Sequence, residues 1–123
     1  MDYNPTIPIW VQVSTMLRRQ ICAGTLSPGS KLPGGRDLAA EYGINPNTAA
    51  RVYQELEREG ICTTKRGMGT FVTQDENKIK EVRTQMAGDA ARAYLAEIHG
   101  LGLRTEDAIR MLETAEGGKD AEK

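Results

Sequence analysis

The sequence predicts a mainly α (α+β) fold with one small two-stranded sheet. Apolar residues recur at three- and four-residue steps through most of the 123-residue chain, as they do on the buried face of a helix. β-branched and aromatic residues instead concentrate in two short runs, "ICTT" and "TFV", which flank the segment "KRGMG". We therefore expect helices joined by short breaks, and one hairpin whose tip carries two cations.

The first helix is predicted to start at Pro8, because proline suits the first turn, and to end at Gly24. Its apolar positions follow the helical period: Ile9, Trp10, Val13, Met16, Leu17 and Ile21. The next segment, "TLSPGSKLPGG", holds two prolines and three glycines, which predicts a loop anchored in the core by Leu26 and Leu32.

Two further helices are predicted on either side of a tight turn. The second helix runs from Arg36 to Tyr42 and the third from Pro46 to Arg58, with Asn45 as the N-cap of the third. Ala39 is small enough to let two helices approach, and a glycine four residues later permits a positive φ.

The third helix has two chemically different faces. Ala49, Val52, Tyr53 and Leu56 cluster on one side at 100° per residue. The opposite side carries Asn47, Arg51, Gln54 and Arg58, with Thr48 at its edge. Two interpretations are open: a solvated face in which Arg51 pairs with Glu55, or a surface that binds a ligand.

Helix, short helix, glycine turn, helix and hairpin form, in that order, a winged helix-turn-helix, assigned to residues 1–73. In such a unit the third helix enters the major groove of DNA. Asn47 can pair with adenine, Arg51 with guanine or a phosphate, and Thr48 with a base or a phosphate. The wing tip at Lys65, Arg66 and Gly67 would lie against the DNA backbone or in the minor groove.

Residues 74–123 are predicted to form a short dimerisation region of two helices that ends in a frayed tail, "EGGKDAEK". An apolar stripe runs along these helices and is too extensive to leave exposed on a monomer. Its members are Ile79, Val82, Met86, Ala90, Ile98, Ile109 and Leu112. We expect a homodimer in which this stripe meets itself.

Charge is distributed unevenly, although the formal net charge is only −1. Residues 1–73 hold eight basic and six acidic side chains, whereas residues 74–123 hold eight basic and eleven acidic ones. The basic surplus lies in the N-terminal part and the acidic surplus in the rest, a mild asymmetry that decides nothing alone. No apolar run approaches the roughly 20 residues of a membrane span, and the N-terminus lacks the features of a signal peptide. We expect a cytoplasmic protein with no membrane partner.

Nothing in the sequence favours an enzyme, a cofactor or a metal site. Cys22 and Cys62 lie far apart without a CxxC pattern, which is typical of reduced, buried thiols. His99 is the single histidine, and its neighbours supply neither metal-ligand spacing nor a catalytic triad. We therefore expect no catalytic residue, no metal and no cofactor.

Residues 24–72 resemble the GntR family of bacterial transcription regulators. The family pattern is roughly G-x-L-x-P-G-x-x-L-P-S-E-R-x-L-A, then G-V-S/N-x-x-T-V/A, then L-x-x-x-G and G-x-G-T-F/Y-V. The segments "NPNT" and "YQELEREG", with only about 50 residues following, are similar to the YtrA subgroup, which has a short two-helix dimerisation region. This resemblance implies a sequence-specific regulator that binds double-stranded operator DNA as a homodimer.

The resemblance also implies roles for individual residues. Arg36 matches the DNA-contacting arginine of the family, Thr48 its threonine, Arg51 an arginine common in the subgroup, and Gly67 and Gly69 the wing glycines. The operator would be palindromic and the protein a repressor of a nearby operon, with the subgroup pointing to an ATP-binding cassette transporter. The resemblance leaves open whether a small-molecule effector exists.

The chain departs from the family at two places. Gly34-Gly35 replaces the usual Ser-Glu, so that the second helix is expected to begin late or fray. Pro46 and Ala50 stand where many relatives have arginines, and those contacts cannot be assigned here. An alternative function stays open at this stage, namely a winged helix used only for protein–protein contact, which the basic wing and the Asn47/Arg51 face disfavour.

Overall fold

A computed structural model describes the backbone of residues 2–121 and the side chains of residues 2–116. It contains five helices and one antiparallel hairpin in the predicted order. These elements are α1 (Ile9–Ala23), α2 (Gly35–Tyr42), α3 (Pro46–Arg58), β1 (Cys62–Lys65), β2 (Gly69–Val72), α4 (Glu76–Gly100) and α5 (Thr105–Ala121). The mainly α class with a two-stranded wing is therefore confirmed.

The chain divides into two compact units, Met1–Arg83 and Thr84–Lys123. The sequence placed the boundary after residue 73, ten residues earlier. The first turns of α4 belong to the N-terminal unit because Ile79 is buried in its core and Val82 packs against that core. Nε of Arg83 also donates a hydrogen bond of 2.8 Å to the carbonyl oxygen of Cys22, at the end of α1.

The core of the N-terminal unit lies between α1, α2 and α3. It is mainly aliphatic, and α3 packs against both other helices. Leu32 reaches this core from the loop and is 2% exposed, while Leu26 is half-buried against it. The predicted loop anchors are therefore confirmed.

The turn between α2 and α3 has the geometry that the sequence predicted. Gly43 adopts φ 64°, in the left-handed region, and Ala39 is buried between the helices. The backbone N–H of Ile44 donates to the carbonyl oxygen of Ala39 at 2.9 Å. A positive φ at this position favours glycine, which explains why α2 stops here.

The expected late start of α2 is wrong. The helix begins at Gly35, and the N–H of Leu38 donates to the carbonyl oxygen of Gly34 at 2.8 Å. No side chain caps the helix, but Asp37 places an acidic group in the first turn. The acidic side chain near the positive end of the helix dipole and the backbone hydrogen bond are sufficient to start α2 without a Ser-Glu cap.

The wing is a hairpin with a third segment added to it. β1 and β2 pair from Cys62 with Val72 to Lys65 with Gly69. Residues 29–32 run beside β2, where the N–H of Leu32 donates to Thr70 O at 2.8 Å and the N–H of Val72 donates to Ser30 O at 2.9 Å. The sequence assigned this segment to a loop because its prolines and glycines hide the strand-like stretch between them.

The C-terminal unit contains the rest of α4 and α5. Ile98 and Ala108 are buried, and the hydroxyl of Tyr94 donates to the carbonyl oxygen of Ala108 at 2.8 Å. The backbone is helical as far as Ala121, where a frayed tail was expected; residues 122 and 123 lie outside the described residues. Glycine lowers helix propensity without forbidding a helix, so the pair at 117 and 118 does not end α5. No helix in the described part combines the length and the apolar composition that a membrane span needs.

Candidate nucleic-acid interface

The first turn of α3 presents polar groups at a capped helix start. The side chain of Asn45 accepts a hydrogen bond of 2.7 Å from the backbone N–H of Asn47, and Pro46 occupies the first helical turn. Asn47 is exposed and Thr48 is half-buried. No helical turn precedes the first turn, so its other backbone N–H groups have no carbonyl partner within the helix. This end of α3 therefore favours an anion such as phosphate.

The two predicted faces of α3 are confirmed by burial. The apolar positions Ala49, Val52, Tyr53 and Leu56 are buried. The hydroxyl of Tyr53 donates to the carbonyl oxygen of Pro33, and burial raises the pKa of that hydroxyl. The packing on one side leaves Asn47, Arg51 and Gln54 exposed on the other.

Arg51 does not form the ion pair that the sequence suggested. Glu55 pairs instead with Arg58, and the hydrogen bond from that guanidinium lowers the pKa of the Glu55 carboxyl. The guanidinium carbon of Arg51 lies over the indole of Trp10, 4.2 Å from the ring centroid. The stacking partner is 41 positions away in sequence, so helical spacing could not reveal it.

Two other arginines of α1 and α3, Arg18 and Arg58, are neutralised within the chain. Arg18 donates to both carboxylate oxygens of Glu59, from Nε at 2.8 Å and from an Nη at 2.6 Å. Arg58 is held by Glu55. Among residues 2–116, Arg51 forms neither an ion pair nor a hydrogen bond through its side chain. Of the arginines on α3, Arg51 is therefore the one whose charge is free for a partner.

The wing carries three exposed cations. Lys65 and Arg66 lie at the tip, as predicted, and Nζ of Lys65 lies 4.8 Å from the centroid of the Phe71 ring. Lys31, which the sequence did not assign to a site, pairs with Phe71 in an isolated bridge beside β2. A Cβ at Gly69 would lie 3.0 Å from Cε of Lys31, and Gly69 has φ 117°. Because Gly69 has no Cβ, the side chain of Lys31 can pass close to the backbone of the wing.

Arg36 lies exposed in the first turn of α2 and Gly67 at the exposed tip of the wing. The predicted DNA-contacting residues thus occur on α2, α3 and the wing of one unit. The sequence could have indicated Lys31 as a candidate contact, because it is a cation in the loop that Leu26 and Leu32 anchor in the core. Its place beside β2 depends on pairing with residues about 40 positions away.

The residues of the predicted dimerisation stripe lie in different environments in the structure: some are buried within a unit and others are exposed. Ile79 is 4% exposed inside the N-terminal unit and Val82 packs on the same core, so these two side chains are used within the chain. Ile98 is buried within the C-terminal unit, Met86 is half-buried and Ala90 is exposed. Ile109 and Leu112 are 53% and 56% exposed. Leu101 and Met111, which the sequence did not include, are exposed as well.

Both cysteines are free and buried. Burial, together with the nearby carboxylates of Glu57 and Glu59, raises the pKa of the Cys62 thiol to about 12. Burial also raises the pKa of Cys22. His99 contacts Thr105, with Nε2 and Oγ1 3.1 Å apart. In the described part of the chain, no three His, Cys, Asp or Glu side chains are arranged to hold a metal ion.

A tight helical pair, an exposed polar face on the second helix of that pair and a cationic hairpin define the class of winged helix-turn-helix DNA-binding proteins. The model of the "Bacterial regulatory proteins, gntR family" matches residues 10–72. The chain belongs to the GntR family of bacterial regulatory proteins, and its resemblance to the YtrA subgroup is confirmed by a curated relative.

That relative is the HTH-type transcriptional repressor YtrA of Bacillus subtilis strain 168. It is 33% identical over 107 residues, which cover 86% of this chain and 82% of the relative. A GntR family transcriptional regulator from Listeria monocytogenes has a similar solved structure, with a TM-score of 0.86 and 30% identity over 91% of this chain and 98% of that one. These relatives are transcriptional regulators, so this chain is a regulator and not an enzyme.

A second solved structure contains DNA. It is the DNA-binding domain of AraR in complex with operator ORX1, with a TM-score of 0.56 and 25% identity. The match covers 59% of this chain and 93% of that domain. The part of AraR that is similar to this chain is thus a domain solved on its operator.

Proposed function

We propose that this protein is a homodimeric repressor that binds a palindromic operator through α3 and the wing. The observation that carries the proposal is the exposed face of α3, on which Arg51 keeps an unpaired charge while Arg58 is neutralised. Asn47 reads adenine and Arg51 reads guanine in the major groove, since these side chains match the hydrogen-bonding edges of those bases.

The other contacts go to phosphates. Thr48 lies in the first turn of α3, where the helix N-terminus favours a phosphate group. Arg36, Lys65 and Arg66 supply positive charge from α2 and the wing, and Gly67 and Gly69 allow the wing backbone to approach the DNA. These contacts hold the protein in register without reading sequence.

Dimerisation is supported by the apolar side chains that the C-terminal unit exposes. Ile109, Met111 and Leu112 are each at least 45% exposed on α5, more than a single surface residue would explain. A second copy that covers this surface would place two recognition helices on two half-sites.

Repression is supported by the named activity of the Bacillus subtilis relative. The YtrA subgroup points to a neighbouring operon as the target, an ATP-binding cassette transporter operon being the specific candidate. A regulator of this kind acts in the cytoplasm, where the chromosome is.

The test compares Arg51→Ala with Lys65→Ala on two DNA duplexes. One duplex is selected from a random library by the wild-type protein and the other is a random duplex. Loss of Arg51 should weaken binding to the selected duplex by about 1–3 kcal/mol and relax the preference at one position, because a bidentate base contact is lost. Loss of Lys65 should weaken binding to both duplexes about equally.

The salt dependence of binding supplies the control for electrostatics. If Arg36, Arg51, Lys65 and Arg66 of both subunits meet phosphates, the log–log slope should be about −7, and shallower where Arg51 reads a base. Equal losses on both duplexes for both variants would show that α3 is not the reading helix. A slope near zero with no selected duplex would favour the alternative function, a winged helix for protein contact.

A further inference from the structure

Trp10 is the single tryptophan of the chain and lies in the first turn of α1. It is half-buried and packs against the core of the N-terminal unit. One face of its indole carries the guanidinium of Arg51 at 4.2 Å, inside the roughly 6 Å range of a cation–π contact. Trp10 therefore joins the start of α1 to the exposed face of α3.

Stacking leaves the hydrogen-bonding capacity of an arginine intact. A guanidinium that stacks through its flat face keeps its five N–H donors in its own plane, directed away from the ring. A stacked arginine can therefore still make a bidentate contact to a guanine edge. An unstacked arginine on a helix surface samples many rotamers, and this freedom is lost when it binds DNA.

The other arginine on the exposed face of α3 provides an internal comparison. Arg58 is held by Glu55 in an ion pair, which occupies its Nε and one Nη as donors. Arg51 is held by an aromatic ring, which does not. Lys65 in the wing repeats the arrangement, with Nζ 4.8 Å from the Phe71 centroid. Two of the proposed DNA-contacting cations are thus supported by rings rather than by carboxylates.

We propose that Trp10 is a positioning residue for sequence reading: its indole holds the guanidinium of Arg51 in place before DNA arrives. This inference rests on the proposed function, because Arg51 must contact DNA for its position to matter. Trp10 itself touches no base. Its contribution is the reduced loss of side-chain freedom when Arg51 binds.

A double-mutant cycle separates positioning from packing. The variants are Trp10→Leu, Arg51→Ala and the combination, with Trp10→Phe as the conservative variant that keeps an aromatic face. Trp10→Leu should weaken binding to the duplex selected by the wild-type protein about two- to fivefold, the range of an exposed cation–π contact. In the Arg51→Ala background the same change should have no effect. Trp10→Phe should restore part of the affinity.

The base preference gives a readout that a packing role would not move. Trp10→Leu should relax preference at the same operator position as Arg51→Ala, whereas a destabilised fold would weaken all sequences equally. An equal loss from Trp10→Leu with and without Arg51 would overturn the inference and assign Trp10 to packing alone.

The outcomes also separate the two proposals. If Arg51→Ala binds as the wild type does, the assignment of Arg51 to DNA fails and the role of Trp10 fails with it. If Arg51→Ala loses affinity but Trp10→Leu does not, the proposed function stands and the positioning role is wrong.

Fluorescence tests the stack in the free protein, since emission from tryptophan comes from Trp10 alone. Arg51→Ala should increase acrylamide quenching because one face of the indole becomes accessible. Arg58→Ala is the matched control on the same helix and should leave quenching unchanged. Unchanged quenching in Arg51→Ala would show that the stack is not populated in solution and would overturn the inference.

Discussion

The two compact units bury their apolar residues to very different extents. Of 18 buried hydrophobic residues among the described side chains, 16 lie in Met1–Arg83 and two, Ile98 and Ala108, lie in the C-terminal unit. The C-terminal unit nevertheless exposes Leu101, Ile109, Met111 and Leu112, while its helices are longer than those of the N-terminal unit. Apolar content alone therefore does not decide burial; three helices around a centre can cover their faces, whereas two helices cannot.

The difference in burial favours separate roles for the two units. The N-terminal unit has its own core and can hold α3 in a defined orientation, which sequence reading requires. The C-terminal unit buries only Ile98 and Ala108 among its described hydrophobic side chains, although hydrophobic burial is the main favourable term in folding. A second copy would supply the missing burial.

The largest expected effect comes from truncating the N-terminal core. Leu56→Ala, at a fully buried position, should lower the free energy of unfolding by about 2–5 kcal/mol because it leaves a cavity. Ile98→Ala, in the C-terminal unit, should cost less, below about 2 kcal/mol, since that unit buries only Ile98 and Ala108 among its described hydrophobic side chains. Urea unfolding followed by circular dichroism measures both. Equal costs would show that the C-terminal core matches the N-terminal one.

The next effect concerns the exposed side of α5. Leu112→Asp should produce monomers that keep their helical content and bind the selected duplex at least about tenfold more weakly, a loss of about 1.4 kcal/mol or more. The reason is that an unpaired charge would be buried where two copies meet. Light scattering at micromolar concentration measures the mass.

Met68→Asp is the matched control for oligomeric state, because it places the same charge on an apolar wing residue that is 60% exposed. This variant should remain dimeric. A dimeric Leu112→Asp, or a monomeric wild-type protein, would remove the proposed role of α5.

Two glycines of the N-terminal unit should respond with opposite signs. Gly43→Ala should cost about 1–2 kcal/mol because an L side chain is strained at φ 64°, although a Cβ there meets no atom within 4 Å. Gly35→Ala, also in open space and at the start of α2, should stabilise by about 0.5–1 kcal/mol. Thermal unfolding of the two variants measures the difference; a destabilised Gly35→Ala would mean that α2 needs glycine at its start.

The last effect appears only at alkaline pH and tests whether the thiol of Cys62 is shielded from water in the N-terminal core. The pKa of Cys62 is raised from 9.0 to about 12, so the neutral thiol stabilises the folded state below pH 9. This stability is lost as the pH rises from 9 towards 12, because the unfolded chain ionises first. The loss should reach about 1.4 kcal/mol by pH 10 and be absent in Cys62→Ala, measured by urea unfolding at pH 8 and 10. Parallel pH profiles for the two proteins would contradict the burial of this thiol.

The order of the elements and the ends of α2 and α3 near Gly43 could be predicted from local signals in the sequence. Pro46 with Asn45 marks the start of α3, Gly43 marks the end of α2, and helical spacing separates Val52 from Arg51. These signals work because caps, turns and amphipathic faces depend on residues within a few positions of one another. The resemblance to a family added the candidate contact Gly69 and matched Arg36 to a DNA-contacting arginine.

What the sequence by itself determined is therefore the fold class, the order of the elements and the polar face that α3 turns to its surroundings. Only the tertiary structure decided that Arg51 stacks on Trp10 and does not form an ion pair with Glu55. The tertiary structure also decided that Lys31 lies along the wing and that Ile79 belongs to the N-terminal core. Each of these depends on residues about 20 to 60 positions apart being packed together. Such contacts are selected by how whole helices and strands cover one another, which no local pattern records.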